Sequence, residues 1–171
     1  MRHGFLKTAA VTPKIRVADP ADNARAVCEC LDECFERKVK LAVLPELCLT
    51  AFTCQDLFLQ ERLLEGAKEA LKTVIAHTKG RDTLVFVGLP LEKDGKLYNV
   101  AAAIQEGRLL GFVPKRNIPN YAEFYEVRHF AAGSMRAEEV EFDGQKVPFG
   151  ANLLFSCSNM PGLTVGCEIC E

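Results

Sequence analysis

A layered α/β fold is predicted by three observations. Residues 4–80 alternate short apolar runs with helical stripes, and residues 83–114 read as three strands joined by hairpin dipeptides. The chain has 171 residues, 49% hydrophobic and 26% charged. A globular chain of that length buries about 70% of the surface that its unfolded form exposes, enough for one sizeable core. One domain is therefore the simplest organisation, and the sequence has no internal repeat, low-complexity tract or linker that divides it.

The elements follow in order. Residues 4–11, GFLKTAAV, read as a first strand, and the stretch from Pro13 to Pro20 carries enough breakers for a loop. A helix is predicted over 20–37, capped by Asp19 or Asp22, with Ala24, Val27, Cys28, Leu31, Cys34 and Phe35 forming its apolar stripe. Leu41 to Leu44 is fully apolar, too short for a helix and stopped by Pro45, which marks a buried strand. A second helix spans Gln60 to Lys79, with Leu63, Leu64, Ala67, Ala70, Leu71, Val74 and Ile75 inward and Gly80 as its stop.

From Thr83 the period changes from helical to alternating. TLVFVGLP, LYNVAAAIQ and RLLGFVP form a meander, turning at Asp94-Gly95 and Glu106-Gly107. Residues 115–135 are irregular, polar and aromatic. Another hairpin is expected at Asp143-Gly144, then a strand from Asn152 to Ser156 and a last one from Leu163 to Cys170.

Charge excludes some partners. Twenty-one Lys and Arg against 23 Asp and Glu give a formal charge of -2, so no global basic field attracts nucleic acid or an anionic membrane. No stretch approaches the ~18 apolar residues of a membrane span, and the N-terminus lacks a signal-peptide pattern, so a cytoplasmic location is expected. The eight cysteines should then be reduced, most of them core filler.

Three residues stand at or just beyond the C-terminal ends of expected strands, where layered α/β proteins gather reactive groups: Glu46 in LPELCLT, Lys115 in VPKRN and Cys170 in VGCEICE. Read singly, Glu46 is a solvated loop carboxylate, Lys115 an edge-strand gatekeeper beside Arg116, and Cys170 a small apolar filler. Alternation argues against the last. Cys167 and Ile169 share one face of an extended chain, leaving Cys170 on the other with Glu168. The Cys167-x-x-Cys170 spacing also suggests a redox pair or zinc, but an extended backbone points the two thiols apart and no second pair supplies four ligands, so no metal site is expected.

An acid, a cation and a thiol make an acyl-transfer site. An ordinary thiol, with a pKa near 8.5, is only a few per cent thiolate at neutral pH and needs a base within hydrogen-bond reach. The oxyanion of its adduct needs a fixed cation or N–H donor.

These three segments, in this order, resemble the Glu, Lys and Cys signatures of the nitrilase, or carbon-nitrogen hydrolase, superfamily. GFLKTAAVTPKIRVADPADNA, PNYAEFYEVRHF and VGCEICE are similar to the glutamine-hydrolysing domains of bacterial glutamine-dependent NAD synthetases. The resemblance implies a nitrilase-like α-β-β-α sandwich, here incomplete at the C-terminus. It implies that Cys170 is the nucleophile, Glu46 the general base and Lys115 the oxyanion-stabilising group. Tyr121 matches a position that contacts glutamine. Glu123 is the candidate for a further glutamate that many members place after the lysine, with Glu126 also near, and the backbone N–H of Glu171 is a candidate oxyanion donor.

The implied reaction is hydrolysis of the glutamine side-chain amide through a cysteine thioester, the ammonia serving NAD synthesis from deamido-NAD. ATP and magnesium are implied only for a separate synthetase domain, and no phosphate-gripping loop occurs in residues 1–171. The expected partners are glutamine, that synthetase domain and further copies of the chain in a homo-oligomer. The chain stops at Glu171 in an apolar alternating run, so residues 1–171 are expected to be the N-terminal part of a glutaminase domain and inactive alone. The alternatives are a stand-alone amidase acting on another small amide, and a non-catalytic scaffold.

Overall fold

The computed structural model describes residues 5–170. Its elements are β1 (Thr8–Ala10), α1 (Pro20–Glu36), β2 (Leu41–Val43), α2 (Glu61–His77), β3 (Leu84–Lys93), β4 (Lys96–Gln105), β5 (Arg108–Pro114), β6 (Glu138–Phe142), β7 (Gln145–Phe149), β8 (Leu154–Ser156) and β9 (Thr164–Gly166). Tight 3-10 turns occupy Phe52–Leu59 and Glu126–Arg128.

Seven strands form one sheet in the order β1-β2-β3-β4-β5-β7-β6. The first three run parallel, because helices or long turns connect them, and the β3-β4-β5 meander is antiparallel as its hairpin dipeptides require. Asp94-Gly95, Glu106-Gly107 and Asp143-Gly144 all hold both residues at positive φ, the conformation of a two-residue hairpin whose twist matches its strands.

Both helices cover one face of the sheet. α1 starts at Asp19, whose side chain accepts from the Asp22 amide, with Pro20 at the first helical position. Its buried stripe of Ala24, Val27, Cys28, Leu31 and Cys34 meets Ala70, Leu71 and Val74 of α2 and the residues Val85, Val87, Leu89, Val100, Ala102 and Ile104 of the sheet. The alternate residues Phe86, Ala101 and Ala103 point to the opposite face, where Phe155 of β8, Val165 of β9, Cys167 and Ile169 lie against them. β8 and β9 pair with each other as a two-stranded second sheet. Among the described residues the layers are therefore helix, sheet, and a second small sheet.

Four expected strands are shorter than the sequence suggests, β2 by the single residue Leu44. β1 begins at Thr8 rather than residue 4, because its partner β2 is only three residues long; Gly4 lies outside the described residues. β8 begins at Leu154 rather than Asn152. β9 ends at Gly166 rather than Cys170, since β8 offers three partners, and at Cys170 the chain leaves extension with φ +53°. α2 starts one residue later and ends two earlier than predicted, with Gln60 and Thr78 as caps. No helix among the described residues is long and apolar enough to cross a membrane.

Candidate active site

The helix-free face of the sheet carries the site. Pro114 ends β5 opposite Val100 of β4, so Lys115 falls opposite Asn99, and its amide donates to the Asn99 carbonyl at 2.8 Å. Directly opposed residues of an antiparallel pair share a face, which here is that of Ala101 and Ala103. Lys115 is 1% exposed.

Glu46 arrives from the turn after β2. Gly88 of β3 makes this possible: a Cβ there would lie 2.6 Å from the Pro45 carbonyl oxygen and collide with the Leu47 amide. Without that side chain the turn sits directly on the strand, and the Leu49 amide and the Cys48 thiol both donate to the Gly88 carbonyl. Buried Asn23 of α1 braces the far end by donating to the carbonyls of Arg16 and Leu49. Leu47, at φ +53°, and Ala51, at φ +73°, hold strained left-handed conformations that this bracing sustains.

The two residues meet. Lys115 Nζ donates to Glu46 Oε1 at 2.7 Å and to both carboxylate oxygens of Glu126 at 2.9 Å, so its three N–H groups have three acceptors. Burial alone would lower the Lys115 pKa; the hydrogen bonds it donates to Glu46 and Glu126 outweigh it and hold the ammonium above the ordinary lysine value. Asn99 Nδ2 also donates to Glu46 Oε1. The group is one cation between two carboxylates, and Glu126 is itself buried.

The Glu126–Arg128 turn is held from outside. Asp56, on the Phe52–Leu59 segment, accepts a bidentate pair from Arg128 Nε and Nη2 at 2.7 and 2.9 Å, and His129 Nε2 lies 3.0 Å from the same carboxylate. Phe130 packs edge-on to Phe58 beneath it, with ring centroids 5.0 Å apart.

The remaining candidates are placed as follows. Cys170 is an exposed free thiol, while Cys167 and Ile169 pack inward, the alternation read from sequence. The 167–170 stretch thus crosses the sheet face from which Lys115 and Asn99 arise, though no hydrogen bond among the described residues joins Cys170 to Glu46 or Lys115. Tyr121 is exposed and lies edge-on to Phe124. The two candidate glutamates separate: Glu123 is exposed, and the carboxylate on Lys115 is that of Glu126, because the turn beginning there points it inward. Glu171 lies outside the described residues. No cluster of three metal-ligating side chains occurs among the described residues.

Two members of this constellation escaped the sequence reading. Asn99 sits inside LYNVAAAIQ, where an amide within the apolar run, rather than at its end as Gln105 is, is the available signal. Asp56 precedes its partners by more than seventy residues, and no local pattern links them. Two open clefts of about 510 and 810 Å³ flank α2, and neither is lined by Glu46, Lys115, Glu126 or Cys170.

Residues 7–171 match the carbon-nitrogen hydrolase family. The chain belongs to that family. Over 170 residues this carbon-nitrogen hydrolase chain is 38% identical to the glutamine-dependent NAD(+) synthetase of Mycobacterium tuberculosis, covering 99% of the chain and 25% of that protein. It is 35% identical over 133 residues to the enzyme of the same name from Aquifex aeolicus, covering 78% of the chain and 23% of that protein. The chain thus spans about a quarter of the length of these relatives. Among solved structures, a glutamine-dependent NAD(+) synthetase from Cytophaga hutchinsonii superposes with a TM-score of 0.84 at 27% identity, over 90% of this chain and 26% of that one. An amidase from Nesterenkonia sp. shares the fold at a TM-score of 0.64 and 17% identity, over 86% of this chain and 56% of that one. The nitrilase-type layered fold is therefore that of this chain.

Proposed function

We propose that this chain carries the catalytic residues for hydrolysis of the side-chain amide of glutamine to glutamate and ammonia, and that the ammonia serves an NAD synthetase activity of the same protein. The observation that carries this reading is the buried Lys115 ammonium held between Glu46 and Glu126, on the sheet face that the Cys170 segment crosses. The substrate is suggested by relatives named glutamine-dependent NAD(+) synthetase that match nearly the whole chain.

Each residue has a role that its chemistry suits. Glu46 takes the proton from Cys170 Sγ as sulfur bonds to the amide carbon and the carbonyl electron pair moves onto oxygen. The Lys115 ammonium faces that charge, one of its two bonds to Glu126 giving way to the oxyanion; Glu126 keeps the cation charged and fixed before substrate arrives. The adduct collapses as Glu46 returns the proton to nitrogen, the C–N bond breaks and ammonia leaves. Water then gives a proton to Glu46 and adds to the thioester carbon, and expulsion of the thiolate, reprotonated by Glu46, yields glutamate. Tyr121 lies on the exposed aromatic segment that leads to Glu126 and is our candidate for contact with glutamine. Among this chain's residues no step needs a metal or a nucleotide; ATP and magnesium belong to the synthetase reaction.

The test uses the protein at its natural length. Cys170→Ala should abolish NAD formation driven by glutamine and leave formation driven by free ammonia largely intact, because ammonia bypasses only the hydrolytic step. Equal loss of both, or a wild-type protein that releases glutamate from no glutamine, overturns the reading. Turnover of another small amide instead would point to a stand-alone amidase.

A further inference from the structure

Asn99 is fully buried, yet it makes an incomplete set of hydrogen bonds. Its Nδ2 donates to Glu46 Oε1, while its Oδ1 is buried with no partner among the described residues. A buried carbonyl without a partner is costly. Rotating the amide cannot relieve it, because that would set Oδ1 against Glu46 Oε1, an acceptor against an acceptor. The orientation is dictated by the carboxylate.

Glu46 Oε1 therefore receives two donors, Asn99 Nδ2 and Lys115 Nζ, and the two come from directly opposed positions, one on β4 and one just past the end of β5. No hydrogen bond among the described residues occupies Oε2, although Glu46 is only partly exposed. From this asymmetry we infer that Asn99 is a positioning residue for the proposed hydrolysis: it anchors one oxygen of Glu46 and so assigns Oε2 as the atom that exchanges protons with Cys170 Sγ, substrate nitrogen and water.

The reasoning is geometric. A carboxylate held by Lys115 alone can rotate about its terminal torsion and present either oxygen to the cation, since that torsion is soft and two-fold. A second donor fixed in a strand, arriving from a different direction, removes that freedom. The general base is then set at one angle before substrate arrives, and misplacement of a base by about 1 Å costs on the order of a hundredfold in rate. The inference rests on the proposed roles of Glu46 and Cys170 but not on glutamine being the substrate.

The experiment is chosen to keep those two apart. Asn99→Leu has nearly the same shape, removes the donor and also removes the orphaned acceptor; Asn99→Asp keeps the shape and replaces the donor by an acceptor. In the natural-length protein each variant is followed by thermal unfolding, by kcat and KM for glutamine, and by the rate at which iodoacetamide alkylates Cys170, read by peptide mass spectrometry with Glu46→Gln for comparison. Asn99→Leu is expected to unfold at or near the wild-type temperature, to lose 10- to 100-fold in kcat with KM changed less than threefold, and to slow Cys170 alkylation severalfold toward the Glu46→Gln rate. Asn99→Asp should lose at least as much. A merely structural role predicts losses that track the unfolded fraction. Wild-type kcat and alkylation rates in either folded variant overturn the inference. If wild-type protein ignores glutamine while Asn99→Leu still slows alkylation, the substrate reading fails and the positioning role stands; if Glu46→Gln leaves alkylation unchanged, Glu46 is not the base for Cys170 and the positioning role falls.

Discussion

Removing Glu126 should destabilise the protein far more than removing Glu123, although the two stand three residues apart in one irregular segment. Glu126 lies 2.9 Å through each carboxylate oxygen from an ammonium that is 1% exposed. At that separation the pair attracts by about 6 kcal/mol with an effective dielectric constant near 20, against which stand the desolvation costs of both groups. Truncation to Ala leaves the cation buried with Glu46 alone, and breaking a buried pair from one side typically costs about 3–5 kcal/mol. Since Glu46 still holds Lys115, we expect Glu126→Ala to cost about 3 kcal/mol. That lowers the unfolding temperature by about 6–12 °C for a domain of this size. Glu123→Ala, on an exposed side chain, should stay within about 0.5 kcal/mol of wild type. Circular dichroism melts at pH 7 and at higher pH make the comparison. Lys115 is held above its ordinary value in the folded state, so its contribution is complete below the unfolded value of about 10.4 and is lost only as pH rises through the raised folded value. The gap between Glu126→Ala and wild type should be unchanged from pH 7 to 9 and narrow above about pH 10. A gap below about 1 kcal/mol at pH 7, or one that closes already by pH 9, would refute the account of Lys115 as a buried, carboxylate-held cation.

Three further outcomes are expected. Gly88→Ala sets a methyl group 2.6 Å from the Pro45 carbonyl oxygen, so it should destabilise by about 1–3 kcal/mol and lower hydrolysis through displacement of Glu46; a stable, fully active variant would show that the Pro45–Leu47 turn need not sit on β3. Asp56→Asn removes the carboxylate that Arg128 and His129 share, and amide hydrogen exchange at His129 and Phe130, both bonded to the Glu126 carbonyl, should accelerate; the Asp56 carboxyl is held well below its usual range by Arg128 and then His129, so wild type should approach the variant as pH falls below about 4. Alkylation at pH 8 in the folded protein should reach Cys48, Cys28 and Cys167 last, because burial pushes their thiols up to about 12, 11 and 11; early labelling of Cys48 would mean that the turn carrying it opens readily.

The parts of the site that the sequence disclosed are those governed by a period or by a strand end. Leu41 to Leu44 and RLLGFVP are apolar runs that end at a proline with a charged residue next, so position alone marks Glu46 and Lys115. Alternation likewise placed Cys167 and Ile169 inward, and it did so even though the ladder ends at Gly166, because side chains of an extended chain alternate whether or not the backbone is paired. Where the ladder ends depends on the length of β8, a property of another segment. The same dependence on distant partners hides Glu126 and Asp56. Within PNYAEFYEVRHF no period separates Glu123 from Glu126; the choice is made by a short turn whose ends are fixed by Phe58 below and Asp56 beside it. Asn99 differs again. Its strand was legible and its face was fixed by the alternation that buries Ala101 and Ala103, but its purpose depends on a carboxylate delivered from β2 over a glycine of β3. A buried amide in an apolar strand is costly unless something takes its hydrogen bonds, so such a residue points to a partner on the same face even when the sequence does not name it. Among the described residues its Oδ1, turned away from Glu46, is the side-chain atom with no partner, while its Nδ2 is spent on Glu46 Oε1, which is why the residue reads as serving the carboxylate rather than the sheet.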